Sequence, residues 1–188
     1  MAAANLGNQI LFCEKVLGIK LHWLRGHQAG LGAGGADLVR LVEEANLKKY
    51  RGTTGLYHFA VLFPNRRELA RAVARLRALK YRNHPTDHLM TKTTYLDDME
   101  GNGIELYCES PEDGHFTIEK YDFAASPTDG TISDGREPLD VAALFSYLKA
   151  EDRLDAPLPG ETRVGHVHLY VQNVREAVDF VQWFVKVV

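Results

Sequence analysis

Apolar residues recur at helical spacing in some stretches of the chain and alternate with polar ones in others, and the two periods predict different elements. Leu6, Ile10, Cys13 and Leu17 share one helical face over residues 5–17, and Gly18 ends that helix. Ile19–Leu24 and Asp37–Val42 alternate as strands, joined through a glycine-rich turn from Gly30 to Gly35. Glycines in that number suit a phosphate loop, but no Lys-Ser/Thr follows and no helix begins there, so a hairpin turn is expected.

Residues 56–63 read as a further strand. Asn65 caps a helix expected over about 66–80, with Leu69, Val73, Leu76 and Leu79 as its apolar stripe. Arg67, Arg71 and Arg75 form its outer row and read as a solvated face. Strands at Thr91–Leu96 and Ile104–Cys108 flank a turn from Asp98 to Gly103. The plan of residues 55–109 is therefore strand, helix and three strands (βαβββ). Residues 5–44 follow the same plan without its opening strand.

From Ser110 to Thr162 the pattern loosens. Ser110-Pro111-Glu112-Asp113-Gly114 and Ser126-Pro127-Thr128-Asp129-Gly130 are loop-like. One helix is expected over 139–150, with Val141, Leu144, Phe145 and Leu148 inward. The segment reads as a connector that wraps a domain. A repeat then appears. His58, Asn65, Arg67 and Glu68 recur as His166, Asn173, Arg175 and Glu176, all on one frame of 108 positions with apolar residues between. Residues 163–188 are thus the opening strand and helix of a further unit. The frame selects His166 over His168 as the counterpart of His58.

Composition narrows the partners. The chain has 188 residues, 45% of them hydrophobic, enough for a sizeable core. Its 22 basic and 25 acidic residues give a net charge of −3, which does not suit a nucleic-acid binder. Cys13 and Cys108 are too few for a disulfide framework, so a reducing compartment is expected. No apolar run nears the roughly 18 residues of a membrane span. Met-Ala-Ala-Ala-Asn lacks the marks of a signal peptide, and a cytoplasmic location is expected.

Two strands carry chemistry. Alternation places His58 with Ala60 and Leu62, opposite Tyr57, Phe59 and Val61, and turns Glu105 away from Ile104 and Leu106. A carboxylate within an apolar strand needs a partner, because burying it unpaired costs several kcal/mol. A metal, an arginine or water would each serve, and a histidine placed like His58, taken alone, is more often a hydrogen-bonded core residue than a ligand.

A repeated βαβββ unit with a histidine in its first strand and Gly101-Asn102-Gly103-Ile104-Glu105 at its last resembles the vicinal oxygen chelate superfamily, which contains glyoxalases, extradiol dioxygenases and fosfomycin- and bleomycin-resistance proteins. Gly55–Ala60, Asp87-His88, Tyr95–Tyr107 and Thr162–Leu169 are most similar to its two-domain catechol 2,3-dioxygenase-like branch. The resemblance implies an α+β fold in which βαβββ units pair into a cupped mixed sheet, here over residues 5–109. It implies His58 and Glu105 as metal ligands, and His88 and Tyr95 as the histidine and tyrosine that assist catalysis. The implied metal is Fe(II), with Mn(II), Zn(II) or Ni(II) as alternatives. The implied substrate is a small aromatic vicinal diol.

A third ligand is needed. Residues 164–171 would supply His166 by replacing the missing opening strand of the 5–44 unit, folding back or exchanged with a second chain. The sheet edge left open by that missing strand favours a homodimer. Another isomerase, lyase or cyclase reaction on the same scaffold stays open, as does a non-catalytic binding or accessory protein.

Overall fold

The computed structural model describes residues 1–44, 46–48, 52–119, 122–130 and 133–187. Two βαβββ units account for most of the fold. In the first, helix α1 (Leu6–Phe12) leads into a π-helical turn (Cys13–Leu17) and then strands β2 (Lys20–Arg25), β3 (Gln28–Gly32) and β4 (Val39–Glu43). In the second, β5 (Gly55–Leu62) and helix α2 (Arg66–Ala78) precede β6 (His84–Asp87), β7 (Thr91–Asp97) and β8 (Gly103–Glu109).

The two units share a strand order. The second runs β6-β7-β8-β5, with β5 parallel to β8 and the other pairs antiparallel. The first runs β2-β3-β4-β1, where β1 is only Ala2–Ala3, parallel to β4. The opening strand that the sequence left out is thus represented by two residues.

Local chemistry explains the helix ends. Asn5 and Asn65 accept from the backbone N–H of Asn8 and Glu68, capping α1 and α2. Gly18 closes the π-helical turn at φ 84, and a Cβ there would also strike the Arg75 guanidinium. Each helix covers one face of its own sheet. Leu6, Ile10, Leu17, Leu31 and Leu41 form one part of a continuous core, and Phe59, Val61, Leu69, Val73, Leu76, Ile104 and Leu106 form the other. Cys13 and Cys108 are buried in it as free thiols; burial pushes them up to about 12 and about 11.

Several expectations are corrected here and below. Gly30 and Gly32 lie within β3, so the turn begins after them. Leu79 caps α2 and is half exposed rather than buried. The connector helix is α3, Val141–Phe145, shorter than 139–150 because a turn at Ser146 ends it. The connector also contains a hairpin, β9 (Gly114–Glu119) with β10 (Asp122–Pro127), and a short strand β11 (Glu137–Pro138) on β6.

The arginine row is not a solvated face. Arg67 holds Asp152 through two bonds of 2.6 and 3.0 Å. Arg71 donates to the carbonyl of Pro157 and pairs with Glu68. Arg75 is buried and donates to the carbonyls of Leu17, Leu154 and Ala156. These bonds lash the connector to α2, and the chain then passes to β12 (Arg163–Tyr170) and α4 (Val174–Val187). No helix among the described residues is long and apolar enough to cross a membrane.

Candidate metal centre

Strand β12 pairs antiparallel with β5 on the edge opposite β8, within the same chain. His166 then stands beside Ala60, Ala60 beside Glu105, and Glu105 beside Tyr95. Four adjacent strands thus present one transverse row on the face away from α2. Ala60 is fully buried and has the smallest side chain in that row, so room remains between the carboxylate and the imidazole. His58 lies two positions along β5 and shares the face. Gly103 faces it, because a Cβ there would meet the Tyr57 carbonyl oxygen at 2.3 Å.

Three ligand atoms converge. His58 Nε2 and His166 Nε2 are each 3.0 Å from Glu105 Oε2 and 3.3 Å from one another. His58 and Glu105 are buried, whereas His166 is exposed, with 45% of its side chain accessible. Spacings near 3 Å are what neighbouring ligands adopt around an ion with bonds of about 2.1 Å. Two imidazoles and one carboxylate converging on one point form a donor set that suits a divalent transition metal.

The electrostatics agree. Burial pushes the Glu105 carboxyl up, but the hydrogen bond and charge of His166, the Thr93 hydroxyl and His58 outweigh it and hold the group below its usual range. Burial lowers His58, against the pull of Glu105, with His168 and His166 adding to the lowering. His58 is therefore held toward its neutral form, the form in which a ring nitrogen can bind a metal.

His88 and Tyr95 are also brought together. His88 Nδ1 faces the Gly135 carbonyl oxygen, which can only accept, so Nδ1 carries the proton. Nε2 is then an acceptor, and the Tyr95 hydroxyl donates to it at 2.8 Å. Burial, with the Glu105 carboxylate nearby, pushes the Tyr95 phenol up, so it stays protonated. The Tyr95 ring lies 5.5 Å from that of His58. All five residues singled out in the sequence (His58, His88, Tyr95, Glu105 and His166) thus fall in one connected group.

Thr93 and Tyr107 escaped the sequence reading, and His168 was set aside there in favour of His166. Thr93 donates to Glu105 Oε1 at 3.0 Å. The Tyr107 ring lies 5.3 Å from that of His166 and packs against Gly165, where a Cβ would sit 2.0 Å from the phenol oxygen. His168 stands opposite His58, with ring centroids 5.0 Å apart. Period-two counting signals each of them, since each lies two positions from a residue already chosen. Tyr57 and Tyr170, 4.7 Å apart, line an open cavity of about 1840 Å³ that His58 and Tyr95 also border.

Residues 5–106 match the family model described as the Glyoxalase/Bleomycin resistance protein/Dioxygenase superfamily. The chain is 32% identical over 179 residues to a catechol-2,3-dioxygenase of Bacillus subtilis (strain 168), covering 94% of this chain. It spans 59% of the length of that relative. Among solved structures, an integron cassette protein from the Halifax Harbour sewage outfall metagenome aligns at TM-score 0.48 with 20% identity, over 57% of this chain and 92% of that one. A virulence protein from Salmonella typhimurium aligns at TM-score 0.46 with 18% identity, over 58% of this chain and 92% of its own. Two βαβββ units of the same strand order, and the match over residues 5–106, place this chain in the Glyoxalase/Bleomycin resistance protein/Dioxygenase superfamily.

Proposed function

We propose that the chain is a metal-dependent, extradiol-type dioxygenase acting on a small aromatic vicinal diol, with Fe(II) as its metal. The observation that carries this reading is the convergence of His58, Glu105 and His166 on one point. The dioxygenase relative supports the same reaction class. His58, Glu105 and His166 would hold the ion, which supplies Lewis acidity and a template for both reactants when bound.

The protein's own groups do the rest. The diol must lose a proton to bind as an anion, and Tyr95 with His88 forms the adjoining route. A hydroxyl proton that reaches Tyr95 passes on to His88 Nε2, which accepts from Tyr95 in the resting arrangement. The return of that proton serves the product. Tyr57 and Tyr170 give the cavity an aromatic rim on which a planar ring stacks.

His166 arrives on β12 of the same chain, so the ligand set needs no second copy. A homodimer would then form through other edges. Oxygen uptake with a panel of catechols, after reconstitution with Fe(II), tests the reading. Ring-cleavage products absorbing in the near ultraviolet or visible are expected. Isomerisation of a hemithioacetal without oxygen uptake would move the chain to a glyoxalase-type reaction, and metal-free protein with catechol affinity would make it a binding protein.

A further inference from the structure

The Glu105 carboxylate is held unevenly. Oε2 faces both histidines at 3.0 Å, whereas Oε1 faces the Thr93 hydroxyl at 3.0 Å. Thr93 lies on β7 opposite Tyr107, fully buried on the same face of the sheet. Its Oγ1 is also 3.1 Å from the Leu106 carbonyl oxygen. The hydroxyl has one proton for two acceptors, and an ionised carboxylate is the stronger.

The bond matters because a carboxylate rotates about a soft torsion. Untethered, either oxygen or both can turn toward the histidines. Tied at Oε1, the group offers Oε2 alone. A carboxylate that binds through one oxygen leaves one more position for substrate atoms than a carboxylate that binds through two. A vicinal diol brings two oxygens, and a co-reactant needs a further position.

We propose that Thr93 is a positioning residue that fixes Glu105 as a one-oxygen ligand and so keeps coordination positions open for a bidentate substrate. The inference rests on the metal reading above. Nothing about it depends on a second chain or on the identity of the diol.

The test uses the whole chain loaded with Mn(II) for affinity and Co(II) for its visible absorption, which reports coordination number. Thr93→Val keeps the shape and removes the donor, and Thr93→Ser restores it. Thr93→Val is expected to weaken Mn(II) binding about ten- to hundredfold and to change the Co(II) spectrum, with Thr93→Ser close to wild type. Thr93→Ala is read the same way if the valine variant does not fold. Wild-type affinity and an unchanged Co(II) spectrum in Thr93→Val would overturn the role of Thr93 and leave the metal reading intact. A wild-type chain that takes up neither ion would overturn both.

Discussion

His58 and His166 are 108 positions apart, and their Nε2 atoms lie 3.3 Å from each other and 3.0 Å from the same carboxylate oxygen. The strand carrying each histidine comes from the same repeated motif, and antiparallel pairing of the two strands puts both side chains on one face. Pairing one copy of the motif with another is what brings the three side chains together.

Between the ligands lies Ala60, flanked by Glu105 on one side and His166 on the other. Valine suits a strand better than alanine, so Ala60→Val should fold. Its extra methyl groups would occupy the space the ion needs. Mn(II) affinity is expected to fall by at least about tenfold while far-ultraviolet circular dichroism is unchanged. Isothermal titration with Mn(II) checks this.

Gly165 is required by Tyr107, whose phenol oxygen would lie 2.0 Å from a Cβ at that position. Gly165→Ala should push β12 outward and cost about 1–3 kcal/mol. His166 would move with the strand, so metal affinity should fall as well. Adding Tyr107→Leu removes the clash, and the double variant should recover both. Urea unfolding and Mn(II) titration of the two variants decide the matter.

Much of this site was legible in the sequence. Alternation around Ala60 and Ile104 gave the faces of β5 and β8, and the 108-residue frame pointed to His166 ahead of His168. The sequence places residues 164–171 where the opening strand of the 5–44 unit is missing, but Ala2–Ala3 take the place beside β4 and β12 pairs with β5, since nothing local to residues 163–170 states which edge they join. The role of the α2 arginines was hidden for a similar reason. Arg67 meets Asp152, 85 positions away, and Arg75 meets backbone carbonyls that leave no trace in composition. The β9–β10 hairpin was missed because proline and glycine at its ends read as loop.

Arg75 makes a prediction about the connector. Replacing it with methionine keeps much of its buried length and leaves the carbonyls of Leu17, Leu154 and Ala156 without their donor. A loss of about 3 kcal/mol is expected, since bonds from charged donors contribute about 1.5–3 kcal/mol each. Urea unfolding measures it, and limited proteolysis should newly cut between residues 150 and 160.

The Arg67–Asp152 pair gives a pH dependence. The hydrogen bond from Arg67 holds Asp152 down at about 2, with help from the Lys149 backbone N–H, against about 3.9 for an unfolded aspartate. The stabilisation is therefore fully present above about pH 4 and is lost as pH falls through the folded value. Asp152→Asn should be less stable than wild type at neutral pH, and the gap should narrow between about pH 4 and pH 2. Thermal unfolding across that range reads the gap, and a constant difference down to the lowest pH would contradict the assignment.

Metal binding by His58, Glu105 and His166, from two copies of one motif, is the proposal on which the rest depends. Metal content after reconstitution with Fe(II) or Mn(II) and removal of excess tests it most directly, in wild type and in His58→Ala, Glu105→Gln and His166→Ala. About one equivalent per chain is expected for wild type, with each variant losing most of it. A His166→Ala chain that retains the wild-type content would contradict the account.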